Sequence, residues 1–289
     1  MKEEKIMLPG LLRGTVSAPP SKSMAHRALI CAALASGVSR LYNMEASEDI
    51  LATAGGLRAL GAAVTPGPDY WEIRGIAAGG REAPPEADGA EARVDCNESG
   101  STLRFLLPLF PVLGLSACFT GRGRLGARPL EPYRELLTAR GLDWEQENSP
   151  FRLRVSGRLS AGEFSLPGDV SSQFVSGLCF ALPLLAGDSV VRLTTELESA
   201  PYLAMTLSAL REFGVEIRPR GPRVYEIPGG QRYVPRATRI EGDYSQAAFF
   251  LVAGTLGSDV TVTGLRKDSL QADTAALPLL ARLGAHVRQ

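Results

Sequence analysis

PPSKSMAHRALICAALASG, residues 19–37, sets Lys22, Arg27 and the serines Ser21 and Ser23 at the head of an apolar run that closes on a glycine. The run is helix-like; Ser21 or Ser23 can cap it and Pro20 can lead into it. Ser23 and Arg27 then stand four apart and share a face. A capped helix start offers unpaired backbone N–H groups and a positive dipole end, which Lys22 and Arg27 would turn into an anion site. Ordinary capping with a solvated basic face is the other reading.

The same plan recurs. NESGSTLRFLLPLFPVLG (97–114), DVSSQFVSGLCFALPLLAG (169–187) and DYSQAAFFLVAGTLG (243–257) each open on a polar, serine-bearing turn before an apolar helix. The closing glycines Gly37, Gly114, Gly187 and Gly257 lie 77, 73 and 70 residues apart, which marks an internal repeat. A short strand follows each helix, in SRLYNM, ACFTG, VVRLTT and VTVTGL, and then a second helix running to Gly61, Gly141, Gly214 or Gly284. The first three copies end in hairpin candidates around Pro and Gly turns. The unit therefore reads βαβαββ. The fourth copy breaks off at GAHVRQ, inside its first hairpin strand, and an unpartnered strand leaves a layer unfinished. The expectation is a fragment, or a shortened product, of something longer. Four helix starts packed around one axis could point into one cleft, so caps alone and caps that also gather anions both remain open.

Composition narrows the function classes. The 289 residues carry 31 basic and 31 acidic side chains, so a general nucleic-acid binder is excluded and any anion site must be local. FLLPLFPVLGLSACF is too short for a membrane span, contains Pro108 and Pro111, and reads as a buried helix. MKEEKIMLPG lacks the features of an export signal, which points to the cytoplasm. Cys31, Cys96, Cys118 and Cys179 form no CxxC pair, and Cys31 and Cys179 read as core residues. With His26 and His286 the only histidines, metal-free chemistry is expected.

PPSKSMAHR, SGSTLRFL, TGRGRLGARPL, GDVSSQF, SAPYLAMTL and EGDYSQAAFF, in that order, resemble the 5-enolpyruvylshikimate-3-phosphate synthases, the 3-phosphoshikimate 1-carboxyvinyltransferases of the enolpyruvyl transferase family. The resemblance covers essentially the whole chain. It implies an inside-out α/β fold of two lobes built from the repeated βαβαββ unit, with substrates in the cleft between them. One complete lobe would span residues 19–239. Residues 240–289 with 1–18 would form part of a second lobe, holding one incomplete unit. The activity implied belongs to the shikimate pathway of aromatic amino-acid biosynthesis: the carboxyvinyl group of phosphoenolpyruvate passes to the 5-hydroxyl of shikimate 3-phosphate, by addition and then elimination of phosphate. No metal or organic cofactor is implied, and the family acts as a monomer on small molecules, without nucleic acid or membrane.

By the same resemblance Lys22 bridges both substrates, and Ser23 and Arg27 hold the shikimate carboxylate, where arginine's fork suits a planar anion. Ser171, Ser172 and Ser199 receive the 3-phosphate, Gln173 reaches over the substrate, and Tyr202 lines the ring. Phosphoenolpyruvate would meet Lys22, the Gly100 backbone, Arg124 and Gln173. Arg104 and Arg128 fall on family positions and could equally brace loops. Glu98 stands where many members carry asparagine, and a carboxylate there repels an anion unless it is turned away or paired. The family's aspartate base and its other second-lobe groups would fall beyond Gln289, so no catalytic base is assigned; Asp243 and Asp273 read as caps.

Two rival readings remain to be separated. UDP-N-acetylglucosamine enolpyruvyl transferases share the repeated fold and the GARP motif but carry a cysteine just before it, where this chain has Gly123 and Arg124. The other rival is a binding module: a lobe that holds shikimate 3-phosphate without turnover, or half of a split enzyme.

Overall fold

The computed structural model describes residues 10–76 and 91–288. Residues 1–9 of the expected second-lobe segment, and the segment read for an export signal apart from Gly10, lie outside them. Along the chain come β1 (Arg13–Ser17), then the first repeat with α1 (Lys22–Leu34), β2 (Val38–Tyr42), α2 (Glu48–Ala59), β3 (Ala63–Thr65) and β4 (Tyr70–Arg74). The second repeat holds β5 (Ala92–Asp95), α3 (Gly100–Leu106), α4 (Leu109–Val112), β6 (Ala117–Gly121), α5 (Glu131–Thr138), β7 (Asp143–Asn148) and β8 (Phe151–Ser156). The third holds β9 (Glu163–Leu166), α6 (Ser172–Ala181), β10 (Ser189–Leu193), α7 (Ala200–Glu212), β11 (Arg218–Pro219) and β12 (Val224–Ile227). After β13 (Ala237–Arg239) the chain continues through α8 (Tyr244–Thr255), β14 (Asp259–Thr263) and α9 (Ala276–Arg282).

These elements form two compact units, residues 22–240 and residues 1–21 with 241–289. The larger unit contains three sheets of one design, ordered β5-β6-β8-β7, β11-β12-β10-β9 and β13-β2-β4-β3. In each, the lead strand runs parallel to the strand after the core helix, and the hairpin adds antiparallel strands. Alternation decides which face is covered. Phe151, Leu153 and Val155 of β8 point inward while Arg152 and Arg154 point to solvent. Phe119 of β6 stands opposite Leu153 and Val94 in the same buried layer.

Helices lie inside these sheets. Every residue of α1 from Ala25 to Leu34 is buried, and so is α6 from Phe174 to Ala181. A helix apolar on all sides has no solvent face and must be a core element. This is the helices-inside arrangement that the family resemblance implies. The long apolar run differs from the single buried helix expected of it: Pro108 has no N–H to donate, and the run divides into α3 and α4 before leaving as β6. Both halves stay buried.

The first sheet takes its lead strand from the far end of its unit. β13, which precedes α8 in sequence, pairs with β2 from Ala237 opposite Arg40 to Arg239 opposite Tyr42. β1, which precedes α1, pairs instead with β14 of the smaller unit, from Arg13 opposite Asp259 to Ser17 opposite Thr263. The division falls at 21/22 and 240/241. Ser21 N still donates to the Glu241 carbonyl at 2.8 Å, whereas Ile240 N donates to the Tyr42 carbonyl at 3.0 Å.

In the smaller unit buried Glu241 accepts Ser269 Oγ at 2.9 Å and Gln271 Nε2 at 3.0 Å, and Gln271 Oε1 receives the first N–H of α8 from Tyr244 at 3.0 Å. Phe249 on α8 is exposed, as are Leu256 just after α8 and Leu283 just after α9. Residues 285–288 form no strand, in contrast to the hairpin strand read at GAHVRQ. No helix among the described residues is long and apolar enough to cross a membrane.

Glycine is required where α6 meets α3. A β-carbon on Gly177 would overlap both the Tyr133 hydroxyl and the Arg104 carbonyl. That hydroxyl is itself fixed, 2.9 Å from the Arg104 carbonyl and 2.8 Å from that of Phe174. Gly177→Ala should lower unfolding free energy by about 1–3 kcal/mol, the cost of overpacking a filled core. Urea denaturation checks this, and a variant as stable as the parent would show that the helices can separate freely.

Candidate anion site on a closed ring of helices

Five helices of the larger unit pack in a ring, α1 on α2, α2 on α3, α3 on α6, α6 on α7 and α7 back on α1. Each junction carries a polar tie. His26 Nδ1 lies 2.8 Å from Thr53 Oγ1, and Thr53 Oγ1 lies 2.7 Å from Thr102 Oγ1. Gln173 Nε2 donates to Ser101 Oγ at 2.8 Å, joining α6 to α3. Ser176 Oγ meets Thr206 Oγ1 at 2.9 Å, and Arg27 Nε donates to that same Thr206 oxygen at 2.9 Å. Apart from the half-buried Gln173–Ser101 tie, these side chains are buried. Buried polar groups must find partners, so these pairings tie the helices in one arrangement.

Arg27 closes the ring. Besides Thr206 it donates from one terminal nitrogen to the Ser23 carbonyl at 2.7 Å and from the other to the Tyr202 carbonyl at 2.8 Å. Of its five N–H groups, one on each terminal nitrogen is left for a further acceptor. Burial lowers its pKa to about 10, with Tyr202 and Cys31 opposing the shift, so it remains charged at neutral pH. Lys22, five residues earlier, is exposed and pairs with Asp49 at 2.7 Å.

The serine-bearing starts do not behave alike. Ser99 caps α3 by accepting the Thr102 N–H at 3.1 Å, and Ser171 caps α6 by accepting that of Gln173 at 3.3 Å. Ser172 is buried beside it. Ser199 precedes α7 without any side-chain cap bond, and its backbone is left-handed at φ 59°. A non-glycine residue held there costs about 1–3 kcal/mol, a strain that clusters at functional positions. Its exposed hydroxyl is not used as a cap. In the smaller unit Asp243 caps α8 by accepting Gln246 N at 3.0 Å, and Asp273 accepts Ser245 Oγ at 2.8 Å.

Gln173 is held from both sides. Arg104 can only donate, so its 2.9 Å contact sets the glutamine oxygen toward it and turns the amide nitrogen to Ser101. Arg104 also donates to the Pro129 carbonyl at 2.8 Å and lies over the Phe174 ring. Burial, and then the neighbouring Arg128, lower its pKa. It braces Gln173 and the loop. Arg128 packs on Gly100, where its guanidinium fills the space a β-carbon would take. Arg124 is exposed and, among the described residues, forms no side-chain hydrogen bond or ion pair. The Glu98 carboxylate lies over the Cα of Gly123, whose φ of +58° and missing side chain make room for it. Among the described residues no three His, Cys, Asp or Glu side chains converge as metal ligands would.

Sequence reasoning did not find Asp49, Thr53, Thr102, Ser101, Ser176 or Thr206. One usable signal was present: Lys22 and His26 on α1, and Asp49 and Thr53 on α2, repeat at four-residue spacing.

A family model described as EPSP synthase (3-phosphoshikimate 1-carboxyvinyltransferase) matches residues 7–289. A curated relative named 3-phosphoshikimate 1-carboxyvinyltransferase, from Clostridium botulinum strain Eklund 17B, is 47% identical over 280 residues, covering 97% of this chain and 64% of the relative. Another of that name, from Clostridioides difficile strain 630, is 43% identical over 281 residues, covering 96% and 64%. The chain thus spans about 64% of the length of these relatives. The solved EPSP synthase from Acinetobacter baumannii superposes with a TM-score of 0.78 at 24% identity, over 96% of this chain and 61% of that one. The enolpyruvyl transferase NikO from Streptomyces tendae gives 0.69 at 20%, over 95% and 63%. At these identities the structural likeness is one of fold.

Burial drives the His26 pKa down to about 3, against a smaller upward pull from Asp49 and with help from Arg27 and Lys22. An unfolded histidine titrates near 6.5, so the unfolded chain binds the extra proton first as pH falls. Stability from this group is complete above about pH 6.5 and is lost below it, at about 1.4 kcal/mol per pH unit. Urea titrations at pH 7.5 and 5 should therefore show a loss in the parent that a His26→Asn variant lacks. Equal losses in both would place the titrating group elsewhere.

Proposed function

The chain belongs to the EPSP synthase family, and on that premise we propose that it grips shikimate 3-phosphate and phosphoenolpyruvate for carboxyvinyl transfer. The observation that carries this reading is the joining, by direct hydrogen bonds, of segments far apart in sequence: Arg27 on the Tyr202 carbonyl at 2.8 Å, and Gln173 on Ser101 at 2.8 Å. Ser23 and Arg27 take the shikimate carboxylate on the two remaining terminal N–H groups. Ser171, Ser172 and Ser199 take the 3-phosphate, with Tyr202 against the ring. Neutral donors at helix starts suit a phosphate, because the backbone dipole supplies the positive end. On the other side Lys22, Arg124, Gln173 and the Gly100 backbone receive phosphoenolpyruvate.

In the transfer, the shikimate 5-hydroxyl oxygen gives up its proton as it bonds to C2 of phosphoenolpyruvate, and the electron pair of the broken C2–C3 π bond takes a proton at C3. Loss of a C3 proton and of phosphate from C2 then restores the double bond. The cationic and backbone donors hold the phosphate that leaves, and they raise the rate only as far as they bind developing charge better than ground-state charge. The lobe of residues 19–239 is the shikimate 3-phosphate side. We read the chain as acting on these small molecules as a monomer in the cytoplasm, without nucleic acid. Its zero formal charge and four free, buried cysteines support that setting.

Calorimetry on the 289-residue chain should show shikimate 3-phosphate binding. Lys22→Ala should weaken it about tenfold or more, as expected for a lost charge-assisted contact. Arg124→Ala should leave it within about twofold, because Arg124 serves the other ligand. No heat from folded protein at millimolar ligand would overturn the reading.

A further inference from the structure

His26 is outside the set of residues that the family resemblance assigns, yet its contacts lead to two of them. Lys22 and His26 share a face of α1, and Asp49 and Thr53 share a face of α2. The faces meet in two rungs, Lys22 Nζ to Asp49 Oδ2 at 2.7 Å and His26 Nδ1 to Thr53 Oγ1 at 2.8 Å. The outer rung is 56% and 30% exposed, and an exposed ion pair contributes about 0–1 kcal/mol, too little to seat two helices. The inner rung is buried, with His26 2% exposed and Thr53 0%. From Thr53 the chain of contacts passes to Thr102 at 2.7 Å, then to Ser99 Oγ at 2.8 Å and the Asp49 carbonyl at 3.3 Å. Ser99 is the cap that Gly100 and Ser101 follow.

Counting protons gives this chain a direction. Thr102 has one hydroxyl proton, directed to Ser99 and the Asp49 carbonyl, so Thr53 donates to Thr102 and receives Nδ1–H from His26. A neutral imidazole meets this demand. Its Nε2, which has no partner among the described residues, stays unprotonated, and the ring stands at 78° to that of Phe105.

We propose that His26 is a positioning residue. Through Thr53 it seats the face of α1 that carries Lys22, and through Thr102 it seats the Gly100–Ser101 backbone, so that ammonium and backbone meet one anionic ligand together. This rests on the reading of Lys22 as an anion ligand.

Three variants of the 289-residue chain test it: His26→Asn, which keeps a donor near the Nδ1 position, His26→Leu, which removes it, and Thr53→Val, which removes the acceptor at nearly constant shape. In ligand-free protein, hydrogen exchange at the Ser101 and Thr102 amides should quicken about tenfold in His26→Leu and Thr53→Val and stay within about twofold in His26→Asn. Calorimetry with shikimate 3-phosphate should show about tenfold weaker binding for His26→Leu, rescue by His26→Asn, and less than about twofold effect of His26→Leu in a Lys22→Ala background. Unchanged exchange in folded Thr53→Val, or losses that add to that of Lys22→Ala, would overturn the proposal. If the parent chain fails to bind, the ligand reading falls while the exchange measurement still decides whether His26 positions the segment. Should His26→Leu not fold, Thr53→Val carries both measurements.

Discussion

A guanidinium sealed between two helices must be satisfied where it stands, and Arg27 makes that demand at the junction of α1 and α7. Taking such a cation out of water costs several kcal/mol unless hydrogen bonds replace the lost solvation. The Thr206 hydroxyl supplies part of the replacement. It accepts from Arg27 at 2.9 Å and donates to the Tyr202 carbonyl at 3.1 Å, so the Ser176 hydroxyl has to donate to it in turn. One cation thereby dictates the proton arrangement across α1, α6 and α7. Any rotation of α7 that freed the Tyr202 carbonyl would leave a buried donor unpaired, at about 1–3 kcal/mol. The ring cannot relax at one junction alone.

The repeat explains why such a ring exists. Each copy sends its first helix inward and its hairpin outward, so three copies bring α1, α3 and α6 into one interior, with α2 and α7 completing the ring. Apolar packing would hold them with little preference for axial position, since sliding a smooth helix costs mainly side-chain repacking. The hydroxyls of Thr53, Thr102, Ser176 and Thr206, all buried, remove that freedom because each bond has a narrow range of distance and angle. Gly177 then permits the close approach of α6 to α3 that the Arg104 brace requires.

Much of this was legible in the sequence, for a physical reason. Glycines that end helices and prolines that turn hairpins act locally, so the βαβαββ plan could be read from Gly37, Gly114, Gly187 and their successors. Pro108 was visible too, but whether a proline kinks a helix or divides it depends on the packing around it, and here it divides α3 from α4. The exchange of β1 and β13 left no local mark, because either strand satisfies the same pairing chemistry. The polar ties were the least legible. Thr53 and Thr102 lie 49 residues apart, and Arg27 and Thr206 lie 179 apart. A threonine bound for a buried tie looks, in sequence, like any helical threonine.

The cations of the site differ in how far they can move, and that difference orders what happens when an anion arrives. Arg27 is anchored by three bonds and can only offer its two remaining N–H groups where they already stand. Lys22 is tethered by one exposed pair with Asp49, an interaction of about 0–1 kcal/mol, so turning toward a ligand forfeits little. Arg124, exposed and unpaired among the described residues, forfeits less still. A doubly charged phosphate would outcompete a single carboxylate for either, while a planar anion would suit the fixed fork of Arg27. Under the proposed reading, selectivity between the two ends of such ligands would come from rigidity at one cation and freedom at the others. The rigidity is set by the buried hydroxyl at Thr206, well below the surface that the ligand would touch.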